Sequence, residues 1–123
     1  MQDEIFEMKL KGYCCSQMVM AKGLEMIGKE INEDLIAAMK GLCSGMWCGK
    51  TCGCLSAAIC LLYIADPNEA GMRRVRYITD WFEEAFGSTE CVDLLEGREI
   101  NKIQKCPVII ENTIAVLEEI LED

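Results

Sequence analysis

The sequence predicts an all-α fold: a single-domain helical bundle of five to seven helices over residues 1–123. Three observations predict it. No segment alternates polar and apolar residues for long enough to propose a strand. Only two prolines interrupt the chain, and aromatic residues make up 7% of it, too few for a typical β-rich core. Apolar residues recur instead at helical spacing between glycine stops and capping residues. A chain of 123 residues, half of it apolar, is long enough for one sizeable core.

The elements follow in order. Residues 2 to 11 mix acids with Ile5, Phe6, Met8 and Leu10, a short amphipathic helix that Gly12 breaks. A second helix runs from Cys14 to Ile27, with Met18, Val19 and Leu24 inward, and Gly28 closes it. Asn32 caps a third helix, to about Leu42, with Glu33 and Asp34 in its first turn where the dipole favours acids. A glycine-bearing bend, Ser44 to Lys50, follows. Thr51 is then expected to cap a buried helix, Cys52 to Ala65, that is apolar almost all round and therefore central.

The turn Asp66-Pro67-Asn68 starts the next helix, Glu69 to Phe86, with Val75, Ile78, Trp81, Phe82 and Ala85 on one face. Gly87 ends it. Ser88 is expected to cap a short helix, Thr89 to Leu95, which Gly97 stops. Proline is favoured at the first helical position, so Cys106-Pro107 is expected to open the last helix, with Cys106 at its N-cap.

Composition removes several function classes. The net charge is −9, whereas nucleic-acid binding needs a positive surface. The one basic cluster, Arg73, Arg74 and Arg76, reads as a solvated helix face. The longest apolar run, CLSAAICLLYIA, is twelve residues, short of the ~20 that cross a bilayer, so no membrane role is expected. The N-terminus is acidic where a secretory leader would be basic, which predicts a cytoplasmic protein. The chain has no histidine. That removes the usual general base, Ser/Cys–His nucleophiles and His-ligated zinc, and hydrolase readings fall with them.

Nine cysteines remain to be explained. In a reducing compartment they argue for metal or redox chemistry over staples. Cys-x-x-Cys occurs nowhere, against a thioredoxin-type site or a zinc ribbon. In the predicted helices Cys15, Cys52, Cys91 and Cys106 all fall at helix N-termini. Free N–H groups there stabilise a thiolate, or a thiolate bound to a cluster. The competing reading is four buried structural thiols. Cys60, amid Ile59, Leu61 and Leu62, reads as core, and Cys43, at a helix end, reads as structural. Trp47 either shields a cofactor or anchors its loop in the core.

Four stretches in order, GYCCSQ (Cys15), CGCLSA (Cys52), FGSTECVDLL (Cys91) and KCPVIIENTI (Cys106), resemble the C_GCAxxG_C_C family of redox-active proteins. The resemblance runs from Gly12 to the end of the chain. It implies a small, mostly helical bacterial redox protein whose four cysteines form one site. A related helical domain in split-Soret cytochromes carries a 2Fe–2S cluster, so the resemblance implies that iron–sulfur cofactor here, as metal ligands Cys15, Cys52, Cys91 and Cys106. The implied function is electron transfer to or from a partner oxidoreductase, as a carrier more than a self-sufficient enzyme, with a homodimer allowed. Two positions depart from the family pattern: Cys54 stands in place of Ala and Ala57 in place of Gly. Cys14, Cys54 and Cys48 are accordingly candidates for additional ligands or redox thiols. The alternatives are a metal-free thiol–disulfide protein and a structural four-cysteine zinc module.

Overall fold

The structure, a computed structural model, describes residues 2–122. Seven α-helices carry the fold: α1 (Gln2–Leu10), α2 (Cys15–Met26), α3 (Glu33–Met39), α4 (Gly53–Ala65), α5 (Glu69–Phe86), α6 (Cys91–Leu94) and α7 (Lys102–Glu122). No strand occurs among the described residues, and none of the described helices is long and apolar enough to cross a membrane.

Helix α4 is the axis of the bundle and packs against α2, α5 and α7. Its Leu55, Ala57, Ala58, Leu61 and Leu62 are essentially inaccessible, as an all-round apolar helix requires. Val19, Met20 and Leu24 of α2, Ile78 and Phe82 of α5, and Ile114 and Leu117 of α7 close the core around it. Phe86 meets Phe82 edge-on, with ring centroids 4.8 Å apart. Ala85 points to solvent, so the inward stripe of α5 ends on Phe86. Ile5 of α1 is buried, and Phe6 and Leu10 lie outside. Arg73 and Arg76 are exposed, as a solvated face, with Arg73 paired to Glu69 at 3.4 Å.

The expected stops hold: Gly12, Gly28, Gly87 and Gly97 all take positive φ. The Asn32 side chain accepts from the Leu35 amide at 3.0 Å, as expected of the cap of α3. Three boundaries differ from the sequence reading. Thr51 does not cap α4; Cys52 is the N-cap residue, and Thr51 pairs with Glu90 in an isolated antiparallel bridge. Ser88 does not cap α6 directly. It lies two residues upstream of the N-cap Glu90, accepts from the Glu90 amide at 3.0 Å and donates to Asp93 at 2.9 Å. Helix α7 begins at Lys102, so Cys106 is its fifth residue, not its N-cap, and Pro107 lies inside the helix. Side-chain tethers hold this extra turn: Asn101 donates to the Leu95 carbonyl at 2.7 Å and Lys105 to the Leu94 carbonyl at 3.2 Å.

Candidate functional site

Seven of the nine cysteines line one cavity of about 290 Å³. Cys14 and Cys15 reach it from the start of α2, Cys43 from the turn after α3, Cys52 and Cys54 from the start of α4, Cys91 from α6 and Cys106 from α7. The remaining wall is largely apolar, with Ile5, Met18, Ile109 and Ile110 among its residues. Cys48 and Cys60 stand elsewhere. Cys60 packs against the core, and Cys48 is exposed in a shallower groove beside Trp47. Trp47 is 62% exposed and donates to the Lys40 carbonyl at 2.9 Å, so it neither anchors its loop in the core nor covers the cavity.

Backbone pairing brings the thiols together. The Cys52 amide donates to the Thr89 carbonyl at 2.8 Å, and the Cys91 amide donates to the Lys50 carbonyl at 2.7 Å. These two bonds flank the Thr51–Glu90 bridge and set the start of α6 beside the start of α4. At Gly53 the chain passes close to α2. A Cβ there would stand 2.8 Å from the Leu42 carbonyl and 3.1 Å from the Cys15 sulfur, so only glycine leaves Cys15 its place.

Buried polar groups that the sequence reading gave no role complete the support. Gln17 accepts from the Cys14 amide at 3.0 Å and donates to the Ile36 carbonyl at 3.1 Å, fixing the start of α2 against α3. Ser16 is fully buried and donates to the Met39 carbonyl at 2.6 Å. Lys102 lines the cavity, donates to the Ser44 hydroxyl and pairs with Glu99 at 3.2 Å. The GYCCSQ stretch already displays Ser16 and Gln17 beside the cysteines, which was the available signal. Lys102 has no comparable one.

The thiols are electrostatically unequal. Cys54 is completely buried and its pKa is held well above the ordinary thiol value, first because its single S–H is the donor available to the sulfurs of Cys15 and Cys52, and then by burial. That donation is the largest influence lowering Cys15, which comes to about 7 against burial. The amides of Ser16 and Ser44 and the charge of Lys102 assist. Cys52 is lowered first by Cys54 and then by the first-turn amides of Cys54 and Leu55, although none makes a cap hydrogen bond of good geometry. Cys91 is raised, chiefly by burial. Cys106 is pushed up to about 12 by burial and then by the neighbouring thiolates. Its place one turn inside α7 denies it the free amides that a helix start would supply.

Reactivity should follow this order. In reduced, metal-free protein the alkylation rate of Cys15 is expected to rise with a midpoint near pH 7, while Cys106 stays protonated up to about 12. Peptide mass spectrometry after iodoacetamide pulses between about pH 6 and 9 reads both. Equal pH profiles at the two thiols would refute the assignment. The linkage signs oppose each other. Depressed below the unfolded value of 9.0, Cys15 contributes stability that is complete above about pH 9 and lost as pH falls through about 7. Raised above it, Cys106 contributes stability that is complete below about pH 9 and lost as pH climbs toward 12.

Cys14 and Cys43 stand at disulfide distance, their Cα atoms 6.3 Å apart. Among the described residues no three Cys, Asp or Glu side chains are arranged to hold a single metal ion, and the thiols are instead spread round the cavity. The donor set itself, soft thiolates with a nearby cation and an apolar wall, is the chemistry that an iron–sulfur group requires.

A family described as "Putative redox-active protein (C_GCAxxG_C_C)" matches residues 13–120, and so nearly the whole chain. No curated protein and no solved structure matches it.

Proposed function

Because this chain belongs to the C_GCAxxG_C_C family of redox-active proteins, we propose that it is a small electron carrier holding a 2Fe–2S cluster on Cys15, Cys52, Cys91 and Cys106. The observation that carries this reading is the convergence of those four residues, from four separate helices, on one cavity of about 290 Å³. A pocket of that size where the thiols meet leaves room for a bound group. A thiol–disulfide centre needs two sulfurs in contact and no such space.

When bound, the cluster supplies storage for one electron at a time. The chain's own residues supply the rest. Cys15 and Cys52 are disposed to be thiolates before any ligand arrives. Cys54 keeps one S–H that is available to either sulfur, the kind of donor that tunes a cluster's potential. Lys102 offsets negative charge at the cavity wall. Cys91 and Cys106 must lose protons on binding, so loading is expected to release protons and to weaken as pH falls. With a net charge of −9, the carrier would dock on a basic patch of a partner oxidoreductase, in a salt-sensitive encounter.

The test is iron, sulfide and zinc content of anaerobically purified protein, with its visible spectrum. About two irons and two sulfides per chain, with visible absorption, support the proposal. About one of each per chain supports a cluster shared across a homodimer. Zinc alone replaces it with a structural module. No metal replaces it with metal-free thiol–disulfide chemistry, for which Cys15, Cys54 and Cys52 are already grouped on one cavity wall.

A further inference from the structure

We propose that Cys14 and Cys43 form a second redox centre, a two-electron disulfide–dithiol couple that clamps the bend after α3 to the start of α2. It lies outside the four cysteines assigned above, although both of its residues also line the cavity.

Four observations carry it. The two Cα atoms are 6.3 Å apart, inside the roughly 4.4–6.8 Å range that disulfides span. Both residues sit at element ends with extended backbone: Cys14 at the N-cap of α2 (φ −94°, ψ 178°) and Cys43 at the end of the 3-10 turn Lys40–Leu42 (φ −65°, ψ 151°). Closing the bond therefore distorts no helix. The buried Ser16 hydroxyl lies 2.9 Å from the Cys43 sulfur and 3.4 Å from the Cys14 sulfur. It can accept from a thiol, or turn its proton from the Met39 carbonyl toward a thiolate, so the reduced pair also has a polar partner. Finally, Cys14 is half-buried on the cavity wall while Cys43 is 2% exposed, which makes Cys14 the sulfur an incoming thiolate reaches.

The exchange balances with a dithiol as reductant. One thiolate of the dithiol attacks the Cys14 sulfur, and the Cys14–Cys43 bond breaks. Cys43 leaves with the electron pair beside Ser16 and takes a proton. The second thiolate of the dithiol displaces Cys14, which also takes a proton. The chain has gained two electrons and two protons, and the dithiol departs as its disulfide.

The couple reaches the neighbouring site through Ser44, the residue after Cys43. Its amide is one of the groups that lower Cys15, and its φ is +52°, a left-handed conformation that strains a non-glycine residue. With the bond closed, Cys43 holds that amide in place. With it open, the bend carrying Ser44, Met46 and Trp47, all at positive φ, is free to relax.

The test uses the full chain in graded ratios of reduced to oxidised dithiothreitol, quenched with iodoacetamide and cleaved after lysine. Cys14 then lies in peptide 12–22 and Cys43 in peptide 41–50. Expected is one linked pair of these peptides, placed by fragmentation on Cys14 and Cys43, that opens with a two-electron dependence on the ratio. Amide exchange in residues 44–49 should be slower in the linked form. C14S should expose the Cys43 thiol to alkylation, and C60S should leave the pair intact. A link through Cys15 or Cys48, no link at any ratio, or a link that opens only in denaturant would overturn the couple. Equal amide exchange in both forms would overturn the clamp. Iron measured on the same samples keeps failure of the cluster separate, because the peptide link is read whether or not metal is present.

Discussion

Cys52→Ser is expected to lose bound iron at least tenfold, while Cys60→Ser keeps the parental content. Both residues belong to the same stretch of chain, eight positions apart. Cys52 is the N-cap of α4, 6% exposed, on the cavity wall and within reach of the Cys54 thiol. Cys60 lies two turns further on and touches only the core. A serine oxygen is harder and less readily ionised than a thiolate, so it is a poor substitute on iron. Disturbing even the outer partners of a metal typically costs 10–100-fold in affinity, and removing a ligand should cost no less. Iron and sulfide after anaerobic reconstitution measure the effect, with circular dichroism to verify that both variants are helical. Equal loading of the two variants would remove Cys52 from the site.

Gly45→Ala should strongly destabilise the chain. Gly45 has φ +59°, and a Cβ on it would fall on the Lys50 backbone, 2.5 Å from the amide nitrogen that donates to the Gly45 carbonyl. The left-handed conformation costs an alanine about 1–2 kcal/mol. Forcing a methyl into a closed turn adds about 1–3 kcal/mol. A loss of about 2–5 kcal/mol in urea unfolding is therefore expected. Gly41→Ala, whose Cβ meets nothing within 4 Å and whose φ is ordinary, should stay within about 0.5 kcal/mol. The site should suffer along with the fold, because Lys50 holds the amide of Cys91. Unfolding midpoints that coincide for the two variants would mean that the bend is not closed as described.

Much of this architecture could be read from the chain alone, where local chemistry decides. Asn32 as a cap and the bounds Glu69 to Phe86 follow from side chains acting on their own helix, and α4 is recognisable because no charged residue interrupts it. Positions decided by distant residues could not be read. Pro107 looks like a helix start, yet Asn101, Lys102 and Lys105 tie down one more turn ahead of it. Thr51 looks like a cap, yet its partner is Glu90, remote in sequence. Four of the seven cavity cysteines stand out through ordered motifs and two more through adjacency, whereas Cys43 comes in only through a pairing that spacing cannot give. Ser16 and Gln17 would ordinarily face water from a first helical turn; here α3 covers them, and they satisfy backbone groups in its place.

The bridge between Thr51 and Glu90 also dictates an order of assembly. Synthesis delivers the N-terminal thiols first. Cys14, Cys15, Cys43, Cys52 and Cys54 emerge long before Glu90, whose bridge positions Cys91, and the α7 turn bearing Cys106 comes later still. The pocket therefore closes only once the segment through Cys106 has emerged. Until then a nascent chain carries several unsheltered thiols, two of them already biased toward thiolate in the finished fold. A chain truncated before residue 91 would present reactive sulfur with no chamber to hold it.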